Sequence, residues 1–412
     1  MRITDVVVTP IAFRDPPLLN AAGVHEPLAL RTVVQVVTET GVVGLGEGRG
    51  DSSVVRGLEA VRSAVVGLDV HATTRLEAAV GAALGGGRDT ASLALRRMVT
   101  APLEVACHDA WGKELGLPVS ELLGGAVRER VEFSAYLFYK WAHHPGADPA
   151  DDLWGEALDP EGVVAQARRM VDLHGFRSIK LKGGVMPPDE EVAAVRALAE
   201  AFPDHPLRID PNGAWGVETS LRVAAELDGV LEYLEDPTTG LDGMSAVARG
   251  AAMPLATNMV VVAPEQVREA VEKDSVQVVL SDHHIWGGLR RSRELAATCA
   301  ALGIGVSMHS NSHLGISLAA MTHLAAASPN LDYASDTHYP WNSEDDVVRG
   351  APLRFVDGAL QVPPGPGLGV ELDEDALAQR HRTYVESGRT DRDDATYLRT
   401  VRPDFDPVVP RW

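Results

Sequence analysis

Only two cysteines, Cys107 and Cys299, occur in 412 residues, each inside a helix-like pattern (VACHDAW and LAATCAALG). A disulfide framework is therefore excluded, and two buried, reduced thiols are expected. The chain also lacks any apolar run approaching the roughly 18 residues of a membrane span, so no transmembrane segment is expected. Its first residues, MRITDVVVTPIAF, alternate like a strand and carry Asp5, which is not the apolar core of a signal peptide. A cytoplasmic protein is the expectation. Basic residues are in short supply, 37 Lys plus Arg against 58 Asp plus Glu, for a net charge of −21. Such a field repels polyphosphates, so nucleic acid is not an expected partner. Hydrophobic residues at 45% and charged residues at 23% exclude a disordered or fibrous chain.

The length suggests two or three structural units, and a large barrel with a smaller companion fits it. Two strand-like stretches, 3–13 and 30–47, the second broken at Glu39-Thr40-Gly41, predict an antiparallel meander. Apolar spacings of three and four then predict helices over 53–67 and 89–115, the second stopping near Gly116. Residues 1–130 thus read as an α+β unit. From Val131 the pattern changes to short apolar runs, each ending in a polar residue and followed by an amphipathic helix. The runs are VEFSAYLF, SIKLK, PLRID, LEYLE, PLATN, VQVVLSD, GIGVSMH and LDYAS. Six successive runs end at Lys182, Asp210, Glu235, Asn258, Asp282 and His309, spaced 28, 25, 23, 24 and 27 residues apart. That is the length of one strand-helix unit, and it predicts a parallel barrel over 131–364.

In such a barrel the strand ends converge on the C-terminal face, where active sites of this architecture lie. Turn and cap chemistry accounts for an Asp or Asn at one strand end, but not for a series that includes Lys, Glu and His. Asp210, Glu235 and Asn258 offer only oxygen ligands on adjacent strands, a set that suits a hard cation such as Mg²⁺ rather than zinc. Asp236 and Asp242 are alternatives to Glu235. Lys180 and Lys182, two residues apart on a strand, share a face, and a lysine beside another cation and a metal is expected to have a lowered pKa. Opposite them, Asp282 can hold His309 in one tautomer. Bases on both sides of a metal point to proton abstraction beside a carboxylate. His283, His284, His313 and His323 lack that arrangement and are expected to be structural or solvent-facing.

Six motifs in order, KLKGG at 180–184, DPNGAW at 210–215, EDP at 235–237, PLATNM at 254–259, HSNSH at 309–313 and DTH at 336–338, resemble those of glucarate dehydratases. These belong to the mandelate-racemase-like branch of the enolase superfamily, and the similarity runs from about Val7 to Tyr397. The resemblance implies a modified TIM barrel, (β/α)₇β, binding Mg²⁺ under an N-terminal α+β capping domain that segment 365–412 completes. It implies dehydration of D-glucarate and L-idarate to 5-dehydro-4-deoxy-D-glucarate, with Lys182 and His309, backed by Asp282, as bases on opposite faces. Lys180 would hold the carboxylate beside the acidic carbon, and Asn20, His25, Tyr136, Asn212, Ser310, Asn311, His338 and Arg392 match positions that contact the diacid. A racemase or epimerase on the same scaffold, a dehydratase of another sugar acid, and a non-catalytic sugar-acid-binding barrel are the alternatives. Homo-oligomerisation would accord with the family's architecture. The sequence departs from the family where His283-His284 follow Asp282. Tyr139–Pro160 matches nothing in it and reads as a variable surface loop.

Overall fold

The computed structural model describes residues 1–146, 154–350 and 352–412. Three antiparallel strands, β1 (Ile3–Arg14), β2 (Leu28–Thr38) and β3 (Val43–Arg49), form a sheet with β2 in the centre. Helices α1 (Ser52–Val65), α2 (Thr73–Ala83) and α3 (Thr90–Leu115) cover it. The sequence pattern missed α2. Asp89 caps α3 by accepting the Ser92 N–H, and Gly116, at φ 68°, ends it. The glycines of VGLGEGR explain how α3 docks: a Cβ on Gly44 or Gly46 would stand 1.9 Å from the carbonyl oxygen of Ala106 or Pro102. Helix backbone therefore lies directly on strand backbone, and any side chain there would push the layers apart.

Seven parallel strands follow: β4 (Ala135–Phe138), β5 (Ile179–Lys182), β6 (Leu207–Asp210), β7 (Leu231–Glu235), β8 (Leu255–Thr257), β9 (Val278–Ser281) and β10 (Gly305–Met308). They alternate with α4 (Pro160–His174), α5 (Pro188–Ala201), α6 (Val217–Glu226), α7 (Gly240–Ala248), α8 (Pro264–Lys273), α9 (Leu289–Leu302) and α10 (Gly315–Ala326). The strands are buried nearly throughout, as parallel strands covered on both faces must be. Residues 331–336 close the ring. On one side the Asp336 N–H donates to Met308 O at 2.9 Å, and on the other the Ser134 N–H donates to Ser335 O at 2.9 Å. The fold is thus a (β/α)₇β barrel capped by an α+β unit.

The run Val131–Phe138 proves to be two strands. Arg130–Glu132 pairs with Ala359–Gln361 in a separate small antiparallel sheet, and only β4 is a barrel stave. Of the stretch Tyr139–Pro160, residues 147–153 lie outside the described residues. The remainder is not simply surface. Tyr139 and Lys140 are buried, and the Lys140 ammonium donates to the carbonyls of Trp141, Ala142 and Gly155 at 2.8, 3.3 and 3.0 Å. Trp154 packs on Trp341 with 4.5 Å between ring centroids.

Near the C-terminus, α11 (Glu374–Ser387) lies against β1, with His381 Nδ1 donating to Pro10 O at 2.7 Å. The short helix α12 (Asp394–Arg399) sits on the turn at Gly23. Cys107 and Cys299 are buried free thiols. No helix among the described residues is long and apolar enough to cross a membrane.

Candidate active site

Strand register builds one flank of the site. Lys182 on β5 stands opposite Asp210 on β6, and β7 places Glu235 at the same level. Lys182 Nζ lies 2.5 Å from Asp210 Oδ2. Lys180 Nζ reaches Glu235 Oε2 at 2.5 Å, Asp336 Oδ2 at 2.6 Å and Asp210 Oδ2 at 3.7 Å. Asp336, on the closing segment, was not among the residues singled out from sequence, although its motif was. All these carboxylates and Lys180 are fully buried.

Carboxylates dominate the electrostatics that the chain's own groups set up around the two lysines. Burial opposes the charge on Lys180, but Asp336 and Glu235 outweigh it and hold its pKa well above the ordinary value. Lys182 is likewise pushed up, burial being overcome chiefly by Asp210. The lowered pKa expected of a lysine beside another cation and a bound metal belongs to the metal-loaded site; from the chain's own groups, the carboxylates dominate the surroundings of both lysines. The acids divide accordingly. Asp210 falls below the usual range because the two lysines outweigh its burial, whereas Glu235 is driven well upward by burial and by Asp210. Asp236 is pushed up to about 7 by burial, then by Asp210.

Asp210, Glu235 and Asp236 bring carboxylate oxygens within 4.8 Å of one another. With Asp336 they make four buried carboxylates against the two ammonium groups of Lys180 and Lys182, so one divalent cation would balance the cluster. The oxygen-only donors fit Mg²⁺. Asn258 touches this group, but its Nδ2 donates to Glu235 Oε1 at 2.6 Å, so its amide faces Glu235 through nitrogen. Asp236 remains a rival ligand, although Thr257 Oγ1 and the Asn258 N–H already donate to it at 2.6 and 2.9 Å. Asp242 does not: it is exposed and pairs with Lys273 at 2.5 Å.

On the opposite flank, Asp282 ends the barrel strand next to that of His309, and its Oδ2 lies 3.1 Å from His309 Nδ1. His284, expected to be structural or solvent-facing, is buried against the same carboxylate. Its Nδ1 lies 2.8 Å from Asp282 Oδ1, and its backbone N–H donates to the same oxygen at 2.9 Å. Burial opposes ionisation of Asp282, but the contacts to His284 and His309 hold its carboxyl well below the usual range. His283, His313 and His323 are buried, and burial lowers all three pKa values, His313 to about 3 and His323 to about 4.

Between the flanks opens a cavity of about 530 Å³. Lys182 and His309 line it together with Asn20, His25, Tyr136, Asn212, Ser310, Asn311, His338 and Arg392. Lys180, Asp210, Glu235, Asn258 and Asp282 are not in the lining. The Tyr136 ring lies under both lysines, 4.7 Å from Lys180 Nζ and 5.9 Å from Lys182 Nζ. Its hydroxyl is pushed up to about 12 by burial. His338 packs edge-on against Tyr136 at 4.9 Å. Arg392 reaches the cavity with its guanidinium already bonded to Asp394 at 2.6 and 2.7 Å and to Asp15 at 3.0 Å. Asp15 also lies 3.1 Å from His25 Nδ1. Arg31 and Arg49, from the capping sheet, line the cavity as well. Sequence reasoning missed both, since nothing local in a strand reveals that a separate domain will aim it at the barrel mouth.

Two family models match the chain. One described as enolase C-terminal domain-like covers residues 162–376, and the N-terminal domain of mandelate racemase / muconate lactonizing enzyme covers residues 3–124. A Streptomyces coelicolor protein named "Probable glucarate dehydratase" is 54% identical over all of this chain and 99% of its own length. A crystal structure of an enolase from Mycobacterium smegmatis, complexed with tartrate, superposes with a TM-score of 0.97 at 61% identity, covering 100% of this chain and 98% of that one. Another, from Pseudomonas fluorescens with bound magnesium, potassium and tartrate, gives 0.96 at 48% identity, covering 100% and 99%.

Proposed function

The chain belongs to the enolase superfamily, in its mandelate racemase / muconate lactonizing enzyme branch, and from that premise we propose that it dehydrates a six-carbon sugar diacid. The substrate is D-glucarate, with L-idarate as its epimer, and the product is 5-dehydro-4-deoxy-D-glucarate. One observation carries the reading: Lys182, paired with the buried carboxylate cluster through Asp210, and the Asp282-backed His309 open onto a single cavity. The dehydratase name of the 54% identical relative supports it, and so do two neighbours holding tartrate, a dihydroxy diacid.

Asp210 and Glu235, with Asn258 or Asp236 as the third oxygen donor, would hold the cation. Bound there, Mg²⁺ supplies Lewis-acid stabilisation of the charge that develops on the substrate carboxylate when its α-proton leaves. His309 takes that proton on one face through Nε2, because Asp282 engages Nδ1 and leaves Nε2 to the cavity. The imidazolium then returns a proton to the departing β-hydroxyl, which leaves as water, and the resulting enol becomes the keto acid. Lys182 serves the other face, and Asp210, which would hold the cation, is also the counter-ion of this lysine, so metal binding would compete with the pairing that keeps Lys182 protonated. Tyr136 and Lys180 wall the site beneath, where burial excludes water. Arg392, Asn20 and His25 grip the distal carboxylate.

The assay is a screen of hexarate stereoisomers with Mg²⁺ for 2-keto acid. Formation from D-glucarate and L-idarate is expected. Epimerisation without keto acid would replace dehydration by racemase or epimerase chemistry, and binding without turnover would leave only a sugar-acid-binding barrel.

A further inference from the structure

Behind the Asp282–His309 pair lies a second row of buried polar groups, and it is anchored in the capping sheet rather than the barrel. Arg31, on β2, is 2% exposed, and each guanidinium nitrogen is engaged. Its Nε donates to Glu47 Oε1 at 2.9 Å, and its Nη1 donates to Asn311 Oδ1 at 3.2 Å. Its Nη2 lies 2.8 Å from His284 Nε2 and 3.4 Å from Ser317 Oγ. Glu47 in turn accepts the N–H groups of Leu314 and Ser317 at 3.0 and 2.9 Å, at the start of α10. The cap thus reaches the barrel at the point where His284 meets Asp282.

The tautomer of His284 follows from Arg31 and Asp282 together. A guanidinium is a donor in every protonation state that matters and never an acceptor. The His284 nitrogen facing it at 2.8 Å therefore accepts, with Ser317 Oγ 2.9 Å from the same nitrogen, and this reinforces the ring proton on Nδ1 that the Asp282 carboxylate, an acceptor at 2.8 Å, itself calls for. That bond, with the His284 backbone N–H, satisfies Oδ1 and turns Oδ2 toward His309. We infer that Arg31 is a positioning residue for His309. It anchors Nε2 of His284 as an acceptor and so holds the ring in place with its Nδ1–H on Asp282, His284 sets the orientation of Asp282, and Asp282 aims His309. Among the described residues Lys182 is placed by strand register, by Asp210 and by the Tyr136 ring, with no such relay from the capping sheet.

The inference rests on the two-face reading above, and the test separates the two. α-Proton exchange of D-glucarate and of L-idarate is followed by proton NMR in D₂O with Mg²⁺, in the full-length wild type, Arg31→Met, His284→Asn and the double variant. Because Arg31→Met strands a buried Glu47, Arg31→Met/Glu47→Gln is measured beside it, removing both charges together. Exchange on the His309 face should fall on the order of 10-fold to 100-fold in the Arg31 variants, while exchange on the Lys182 face stays within about 2-fold. Asparagine keeps a donor where His284 Nδ1 stands but has no contact with Arg31. In the His284→Asn background the loss of Arg31 should therefore cost little more. Equal slowing of both faces, or an undiminished cost of losing Arg31 in the His284→Asn background, would show Arg31 to be merely structural. Failure of the wild type to exchange either epimer would instead defeat the functional reading itself.

Discussion

The two flanks of the cavity place a proton-handling side chain by opposite means. On the lysine flank, four buried carboxylates crowd two ammonium groups, a surplus that drives Glu235 and Asp236 toward protonation and that a divalent cation would balance. On the histidine flank a single buried carboxylate has both oxygens engaged within the chain, by His284, a backbone N–H, His309 and the Asn311 amide. The first flank is unfinished without a cation, whereas the second is complete within the chain. It follows that loss of metal should disable the lysine flank first in structure and the whole site in activity.

The largest effect expected from breaking this contrast comes from the surplus side. Asp210→Asn, or exhaustive EDTA treatment, should lower turnover on the order of 10³-fold or more. The fold should survive the substitution, since it removes one charge from an over-anionic cluster, and circular dichroism can check that. Full activity after chelation would remove the metal from the mechanism. Next comes His309→Asn, which should stop dehydration of both epimers by on the order of 10² to 10⁴-fold, while Lys182 still exchanges the α-proton of the L-idarate-like epimer. Proton NMR in D₂O decides, because loss of all exchange would mean that Lys182 serves no face of its own.

A smaller effect is expected at the far end of the cavity. Arg392→Ala should weaken diacids by roughly 10-fold to 100-fold more than matching monoacids, the size of hydrogen bonds to a charged group. Comparing kcat/KM for the two classes tests this. An equal loss for both would mean that Asp15 and Asp394 use up the guanidinium and that its role is structural. The smallest effect concerns a histidine outside both flanks. His323 accepts the Ser120 N–H on Nδ1 at 3.3 Å and donates from Nε2 to Leu368 O at 3.1 Å, so a second proton has no acceptor. Its folded pKa, lowered to about 4, lies below the unfolded value near 6.5, so the unfolded state binds more protons between them. Stability should fall as pH drops from about 6.5 to about 4, by no more than roughly 3 kcal/mol from this group. His323→Gln should flatten that part of the pH dependence of the melting temperature and leave activity unchanged.

Much of the barrel was legible because its strand-helix units repeat along the chain. The spacing of Lys182, Asp210, Glu235, Asn258, Asp282 and His309 needs no tertiary knowledge, and the structure sets these positions around one face. What escaped depended on contacts between distant segments. Lys180 and Lys182 read as a mutually repelling pair only while Asp336, more than 150 residues away, is left out. His284 reads as structural until Arg31 arrives from another domain. The strand-like run Val131–Phe138 splits because half of it finds partners near residue 360, a pairing invisible in local pattern.

The closing segment 331–336 has a consequence beyond topology. It works as a clasp: the last stave is fastened to its two neighbours by few backbone bonds, and the same residue that fastens it to β10, Asp336, is the acid that holds Lys180. The loss of Lys180 would leave the buried Asp336 carboxylate without its ammonium partner at the seam where the ring is joined. Closure of the barrel and the pairing of its interior charges therefore meet in one residue, and Lys180→Met should speed hydrogen exchange at the amides of Ser134, Ser335 and Asp336.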